Sequence, residues 1–394
     1  MAVLESDVCV VGAGFAGLTA ARRLGQAGKS VVVLEARHRV GGRIWTHQLS
    51  DGTAVDRGGA WLAPKHDAIF ALAREVGAST YKTWVRGSHL LVGEGRMLRY
   101  KGLIPRISPL AVLTIALAQL RVDRLAQRVP LEAPWTARGA REWDTRTVAS
   151  WLEHSGIRTT MARDLFEMAV RGLFPSDLTD VSLLHFLFLV HAHHNTKTLF
   201  AIEGGAQENL VHGGVGSIAD RMADALGDAL HLGAPVRSIE QQNDRVLVRS
   251  EGLEVSASQV VVTVPPALAV EIAFEPGLSE ERVALYRSAV AGSVTKSLVV
   301  YDEAFWRADG LSGQSAEPRA ASEVTIDASP PDGRPGVLAS FTFGEVARRF
   351  DGLEARDRRS VVLDALTRRF GPMAEKPVDF VQTEWWAEPW TRGC

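Results

Sequence analysis

Val8-Cys9-Val10-Val11-Gly12-Ala13-Gly14-Phe15-Ala16-Gly17 is the stretch whose reading decides the fold. Four apolar residues run directly into three glycines spaced as G-x-G-x-x-G. The apolar run suits a short strand buried on both faces. A helix is expected from Phe15 to Ala27, with Leu18, Ala21 and Leu24 on one face and Gly28 suited to its C-cap. Ser30 to Leu34 then reads as a second strand, closed by Glu35. Each glycine answers a separate need. Gly12 makes the tight turn, Gly14 leaves the backbone bare for a pyrophosphate, and Gly17 lets helix and strand pack closely. The helix N-terminus at Phe15 and Ala16 offers N–H groups and a partial positive charge to an anion. Glu35 is placed to accept hydrogen bonds from a ribose. A lone G-x-G-x-x-G is weak evidence. With strand, helix, second strand and acidic residue in order, it points to a dinucleotide site on a Rossmann-like βαβ unit.

The nucleotide is NAD or FAD on this reading, and the next residues favour FAD. Arg37-His38-Arg39-Val40-Gly41-Gly42-Arg43 sets two glycines and flanking arginines just beyond the acidic residue. Such a loop can lay backbone N–H groups and a guanidinium on a pyrophosphate already held by the first turn. Taken alone, it reads equally well as a basic surface turn.

Val11 to Gly17, Leu34-Glu35-Ala36-Arg37 and Val40-Gly41-Gly42-Arg43 together resemble the flavin-containing amine oxidases, the monoamine oxidase family, bacterial monoamine and putrescine oxidases included. The resemblance covers nearly the whole chain. It implies a mixed α/β (α+β) fold, with a Rossmann-like FAD-binding domain and an inserted substrate-binding domain. It implies FAD as cofactor, held by Gly12, Gly14, Phe15, Ala16, Gly17, Glu35, Ala36, Arg37, Gly42 and Arg43. Ala54 to Trp61 contains a further glycine pair that reads plainly as a turn; by the resemblance, Gly59, Ala60 and Trp61 lie against the flavin ring. Val236 matches a residue whose backbone meets the adenine, and Trp385 one near the flavin. Leu199 to Glu208 reads as a strand-turn connection, and the resemblance makes Leu199, Phe200 and Gln207 part of the substrate cavity.

Ser293 to Tyr301 reads as a strand with Lys296 inside it. A buried charge there is costly without a partner. On the residues alone, an edge-strand lysine facing solvent is the better reading. The resemblance reverses this and makes Lys296 the catalytic residue, bonded through water to flavin N5. Thr391-Arg392-Gly393-Cys394 resembles the segment where mitochondrial monoamine oxidases attach flavin to a cysteine sulfur, whereas many bacterial relatives bind FAD noncovalently. Family members continue beyond this point with a strand and a closing helix. The chain stops at Cys394, so it reads as truncated or as part of a longer polypeptide, with its activity as it stands an open question.

Composition is compatible with this. The 394 residues are 46% hydrophobic and 23% charged, long enough for roughly two to three domains. Lys plus Arg number 44 against 46 Asp plus Glu, a net charge of −2, and nothing suggests nucleic acid. Two cysteines, Cys9 and Cys394, make no disulfide framework and no C-x-x-C. With no signal peptide at the N-terminus, a reducing, cytoplasmic setting is expected. The most apolar windows, Pro109 to Leu120 and Val181 to Val190, fall short of the ~18 residues that span a bilayer and read as core helices. His191, His193 and His194 lack a zinc-like spacing, so no metal is expected. Ser217 with Asp220 resembles a capping box for the helix that follows.

The domain partition expected is 1–78 and 204–290 for FAD binding, 79–203 (mainly helical) and 291–384 (sheet) for substrate, and 385–394 opening a last FAD-binding segment. The function expected is FAD-dependent oxidation of an amine to an imine and aldehyde, with dioxygen reduced to hydrogen peroxide. The alternatives are an inactive FAD-binding remnant, or an amine dehydrogenase or desaturase of the same architecture. The partners expected are a small-molecule amine and dioxygen, with no nucleic acid and no membrane span; a homodimer is left open.

Overall fold

The computed structural model describes residues 2–102, 105 and 107–393. The first strand, Ala2–Val11, lies between two parallel neighbours, Leu253–Val262 and Val31–Leu34. That placement buries Val8, Cys9, Val10 and Val11, as an all-apolar run demands. The strand starts earlier than its apolar residues suggest, because pairing with Leu253 and Glu254 carries the ladder back to Ala2 and Val3. It belongs to a seven-stranded sheet that runs Ala273–Glu275, Val236–Gln242, Arg245–Ser250, Leu253–Val262, Ala2–Val11, Val31–Leu34, Leu230–His231. Leu253–Val262 is one continuous strand, its first half paired with Arg245–Ser250 and its full length with Ala2–Val11. The helices Phe15–Gln26 and Gly216–Asp224 share a core on this sheet, through Leu18, Ala21, Ile218, Ala219 and Met222.

A second seven-stranded sheet runs Asp379–Glu384, Val294–Tyr301, Gly336–Phe343, Val324–Asp327, Leu311–Ala316, Ser88–Gly93, Arg96–Tyr100. Two of its strands, with Thr80–Lys82 beside them in sequence, open the stretch read as mainly helical. Their local pattern is short, and the partner that makes Ser88–Gly93 a sheet strand, Leu311–Ala316, lies more than two hundred residues away. The helices follow, from Pro109–Ala126 to Thr196–Phe200, around a core that includes Ala118, Val122, Val148, Phe186 and Leu187.

Two expectations are corrected here. Pro109–Ala126 is not a helix buried all round. Ala111, Thr114, Ala118, Val122 and Ala126 face the bundle, and Leu110, Leu113, Leu117 and Leu120 point outward, 44 to 59% exposed. Small residues allow close helix approach, and the leucines at the intervening spacing are left outside. Among the described residues no helix is long and apolar enough to cross a membrane. The helix Gly216–Asp224 has no capping box: Ser217 donates its hydroxyl to the Gly214 carbonyl, and the Val215 N–H is satisfied by Asp56.

Cys9 is fully buried in the first strand, and burial pushes its thiol up to about 12. Its thiolate population near neutral pH is therefore negligible. Iodoacetamide is expected to leave the Cys9 peptide unmodified in the folded protein and to label it fully in guanidinium, read by mass spectrometry. Labelling of the folded protein at the rate of a free thiol would refute the burial.

Candidate functional site

Gly12, at φ +101°, reverses the chain at the strand tips and donates its N–H to the Leu34 carbonyl at 2.8 Å. A Cβ on Gly17 would lie 1.8 Å from the Gly12 oxygen, whereas a Cβ on Gly14 would meet nothing within 4 Å. So Gly17 serves packing and Gly14 faces open space. Gly14 is also the N-cap of Phe15–Gln26 and brings no side-chain cap. The first-turn N–H groups of Phe15, Ala16 and Gly17 have no intrahelical partners by geometry.

The second glycine pair arrives at the same place. Gly41 bridges to Gly14 and donates to the Ala13 carbonyl at 2.9 Å. A Cβ on Gly42 would sit 3.4 Å from the Gly14 Cα. Arg43 is exposed, has no carboxylate partner among the described residues, and accepts the Gly59 N–H on its carbonyl at 3.2 Å. Arg39 donates Nη1 to the Val40 and Ile44 carbonyls, both at 3.1 Å, and leaves its buried Nη2 without a partner. Burial, with Arg37 nearby, brings the Arg39 guanidinium down to about 10. A bare glycine, a helix N-terminus and an orphaned guanidinium nitrogen in one loop cluster fit an anionic dinucleotide. In the sequence Arg39 is one of the arginines flanking the glycine pair, with nothing to single it out from its neighbours.

Glu35 is buried, with Oε2 accepting from the Ala13 N–H at 2.7 Å and Oε1 from the Arg37 N–H at 3.0 Å. It pins the glycine turn to the second strand. A carboxylate has about four lone-pair sites, so acceptor capacity remains for ribose hydroxyls. Ala36 is half-buried beside it, and Arg37 pairs with Glu388 and, at 3.5 Å, with Glu35. Gly233 and Ala234 donate to the Arg37 and Glu35 carbonyls at 2.8 Å, which brings the start of Val236–Gln242 to the same edge, with Val236 its first residue.

Lys296 lies in an interior strand, paired on both sides with Phe341 and Thr383, and is 3% exposed. The solvent-facing alternative is therefore excluded. Its Nζ donates to the carbonyls of Asp56 at 2.5 Å and Gly58 at 2.9 Å, and lies 5.0 Å from the Trp61 ring centre and 5.6 Å from that of Phe341. A cavity of about 660 Å³ opens before it, lined on one side by Gly58, Gly59, Ala60, Trp61, Phe341, Phe343 and Trp385. Leu173, Phe174, Val181, Ser182 and His185 line the other. Trp61 packs against Phe341 at 5.8 Å and keeps a buried Nε1 without a partner. Trp385 is buried edge-on to Trp45 at 6.5 Å.

Leu199, Phe200 and Gln207 do not line this cavity. Leu199 is in the helical core with Phe200 packed on it, and Gln207 accepts the Thr83 hydroxyl on its carbonyl at 2.8 Å. The wall comes from Leu173, Phe174, Val181, Ser182 and His185, the last three from the start of the apolar window Val181 to Val190. Cys394 lies outside the described residues. His191 and His193 donate Nδ1 to the Val129 and Leu189 carbonyls, and His194 contacts Lys65. No group of three metal-binding side chains converges among the described residues.

A family model described as flavin containing amine oxidoreductase matches residues 15–394. A putative flavin-containing monoamine oxidase of Mycobacterium tuberculosis is 37% identical over 387 residues, which cover 98% of this chain and 84% of that protein. An amine oxidase [flavin-containing] A of Equus caballus is 32% identical over 393 residues, covering 98% and 74%. Among solved structures, a wild-type putrescine oxidase bound to putrescine aligns with a TM-score of 0.93 and 31% identity, covering all of this chain and 88% of that one. Cyclohexylamine oxidase from Brevibacterium oxydans aligns with a TM-score of 0.93 and 30% identity, over 99% and 86%.

The two glycines of the first turn separate by experiment. Gly14→Ala is expected to fold with stability changed by no more than ~1 kcal/mol, because its φ of −72° suits alanine and the new methyl meets no neighbour. It should nonetheless lose bound dinucleotide, read as flavin absorbance per chain. Gly17→Ala must displace the helix from the turn and is expected to cost about 1–3 kcal/mol or more, read by calorimetry. Full cofactor retention in Gly14→Ala would refute the cradle.

Proposed function

This chain belongs to the flavin-containing amine oxidoreductases, and from that premise we propose that the aromatic cavity before Lys296 is where its amine is oxidised. When bound, FAD supplies the redox chemistry: the neutral amine loses a hydride equivalent to it, the imine is hydrolysed to an aldehyde, and dioxygen takes the electrons as hydrogen peroxide. The observation that carries the placement is a buried lysine ammonium braced on two main-chain carbonyls at the floor of an aromatic cavity, beside the Gly58-Gly59 turn.

The chain's own residues divide the work. Gly12, Gly14, Phe15, Ala16, Gly17, Gly42 and Arg43 hold the pyrophosphate, with Arg39 added to them. Glu35 holds the ribose while keeping its grip on Ala13, with Ala36 and Arg37 beside it, and Val236 meets the adenine. Gly59, Ala60, Trp61 and Trp385 form the wall for the ring. Trp61, Phe341, Phe343 and Phe174 keep water from the reacting amine, and the Lys296 ammonium at the cavity floor disfavours a second positive charge beside it. Lys296 holds a proton and a water at the reacting face. The putrescine and cyclohexylamine oxidases among the structural relatives set the substrate panel. Cys394 is proposed as a covalent flavin link only through the resemblance of Thr391 to Cys394; a flavin-bearing Cys394 peptide after acid precipitation supports this, and a flavin-free precipitate from active enzyme removes it.

Peroxide release with primary monoamines, cyclohexylamine, putrescine and spermidine tests the function: turnover of at least one is expected, and none on any amine with FAD bound would remove the reading. Lys296→Met keeps most of the stem volume and removes the ammonium. It is expected to retain flavin and to slow amine oxidation, reoxidation by oxygen, or both, by roughly 10². Stopped-flow measurement of both half-reactions checks this, and wild-type rates in both would return Lys296 to a structural part.

A further inference from the structure

Asp56 ends the short strand Ala54–Asp56 and faces two ways. Its buried carboxylate accepts from the Thr46 hydroxyl and, at 3.0 and 3.1 Å, from the Val215 N–H. Thr46 Oγ1 in turn accepts the Gly216 N–H at 2.8 Å. The start of the helix Gly216–Asp224, which has no side-chain cap of its own, is thus held by a carboxylate from far upstream. The main-chain carbonyl of the same residue receives the Lys296 ammonium. Between Asp56 and Gly58, Arg57 turns to the strand Asp379–Glu384, donating Nε to Thr383 Oγ1 at 2.9 Å and Nη2 to the Gln382 carbonyl at 2.7 Å. Thr383 is the residue paired with Lys296. Three consecutive residues therefore tie the nucleotide-side helix, the last strand and the lysine together.

We propose that Asp56 is the positioning residue for Lys296: its carboxylate, fastened to the start of the helix Gly216–Asp224, fixes the peptide whose carbonyl grips the ammonium. This rests on the reading of Lys296 as the residue at the reacting face. Burial raises the Asp56 carboxyl above its ordinary range, while the Thr46 hydroxyl, the Lys296 charge and the Val215 and Gly216 N–H groups act against that rise. A helix cap alone would need only an acceptor at this position. The lysine bond to the main-chain carbonyl of the same residue gives Asp56 a second task.

The test uses the FAD-loaded enzyme. Asp56→Asn keeps an acceptor and the shape, so it keeps the anchor; Asp56→Ala removes the anchor. Asp56→Ala is expected to slow the same half-reaction that Lys296→Met slows, by about tenfold, and Asp56→Asn to stay within about twofold of the wild type, with flavin content within about twofold in both. Added to Lys296→Met, Asp56→Ala should slow that step no further, since residues acting as one unit are not additive. Independently of turnover, reductive methylation read by mass spectrometry should label Lys296 at least about tenfold faster in Asp56→Ala than in the wild type. Rates that multiply in the double variant overturn the proposal. So does loss of flavin or melting in either variant with Lys296 still protected, which would make Asp56 a helix cap only. If Lys296→Met shows wild-type half-reactions, the catalytic reading of the lysine fails, and the methylation result alone decides whether Asp56 positions it.

Discussion

An ammonium buried in the middle of a β-sheet must be solvated by protein, and the way this chain solves that problem shapes its centre. A desolvated charge without partners costs several kcal/mol, enough to unfold a marginally stable domain. Lys296 is met by two carbonyls of the Asp56-Arg57-Gly58 turn and by the faces of Trp61 and Phe341. The turn cannot serve that purpose unless it is itself held. Asp56 is fastened to the helix Gly216–Asp224 and Arg57 to the strand Asp379–Glu384. The demand of one charge thereby joins the two large sheets at the point where the cavity opens.

The nucleotide side follows a different economy, built from missing side chains. Gly14 and Gly42 lie close enough that their two turns share one floor, and Gly17 sits where any methyl would strike the Gly12 carbonyl. Glu35 stitches the floor from below through the Ala13 and Arg37 N–H groups. A turn that is to present free N–H groups to an anion has to have a bare backbone and must also be held still. Glycine supplies the first condition and the buried carboxylate the second.

The cavity joins these two constructions. Its inner wall is aromatic and comes from the Gly58 to Trp61 turn, the second sheet and Trp385; its outer wall comes from the helical bundle through Leu173, Phe174, Val181 and His185. The Lys296 ammonium stands at the floor of this space beside the Trp61 and Phe341 rings, so a second positive charge there would meet like-charge repulsion.

The nucleotide fold was legible in the sequence because its determinants are local. The glycine spacing, the flanking apolar strands and Glu35 fall within thirty residues, and each has a steric or hydrogen-bonding reason that needs no distant partner. The lysine could be named but not placed: on the residues alone its strand suited an edge, and only pairing with Gly336–Phe343 and Asp379–Glu384 made it interior. The cap of Gly216–Asp224 was misread for the same reason, since a carboxylate from Asp56 competes better than the local Ser217. Leu199, Phe200 and Gln207 were assigned to the cavity by likeness of sequence, yet the lining belongs to Phe174 and His185. Cavity walls are made by contacts between elements far apart in the chain, and side-chain direction there depends on packing rather than on local pattern. The sequence by itself determined which chemistry the chain can hold; tertiary structure decided which side chains face it, because burial, register and the partners of a charge exist only once distant segments meet.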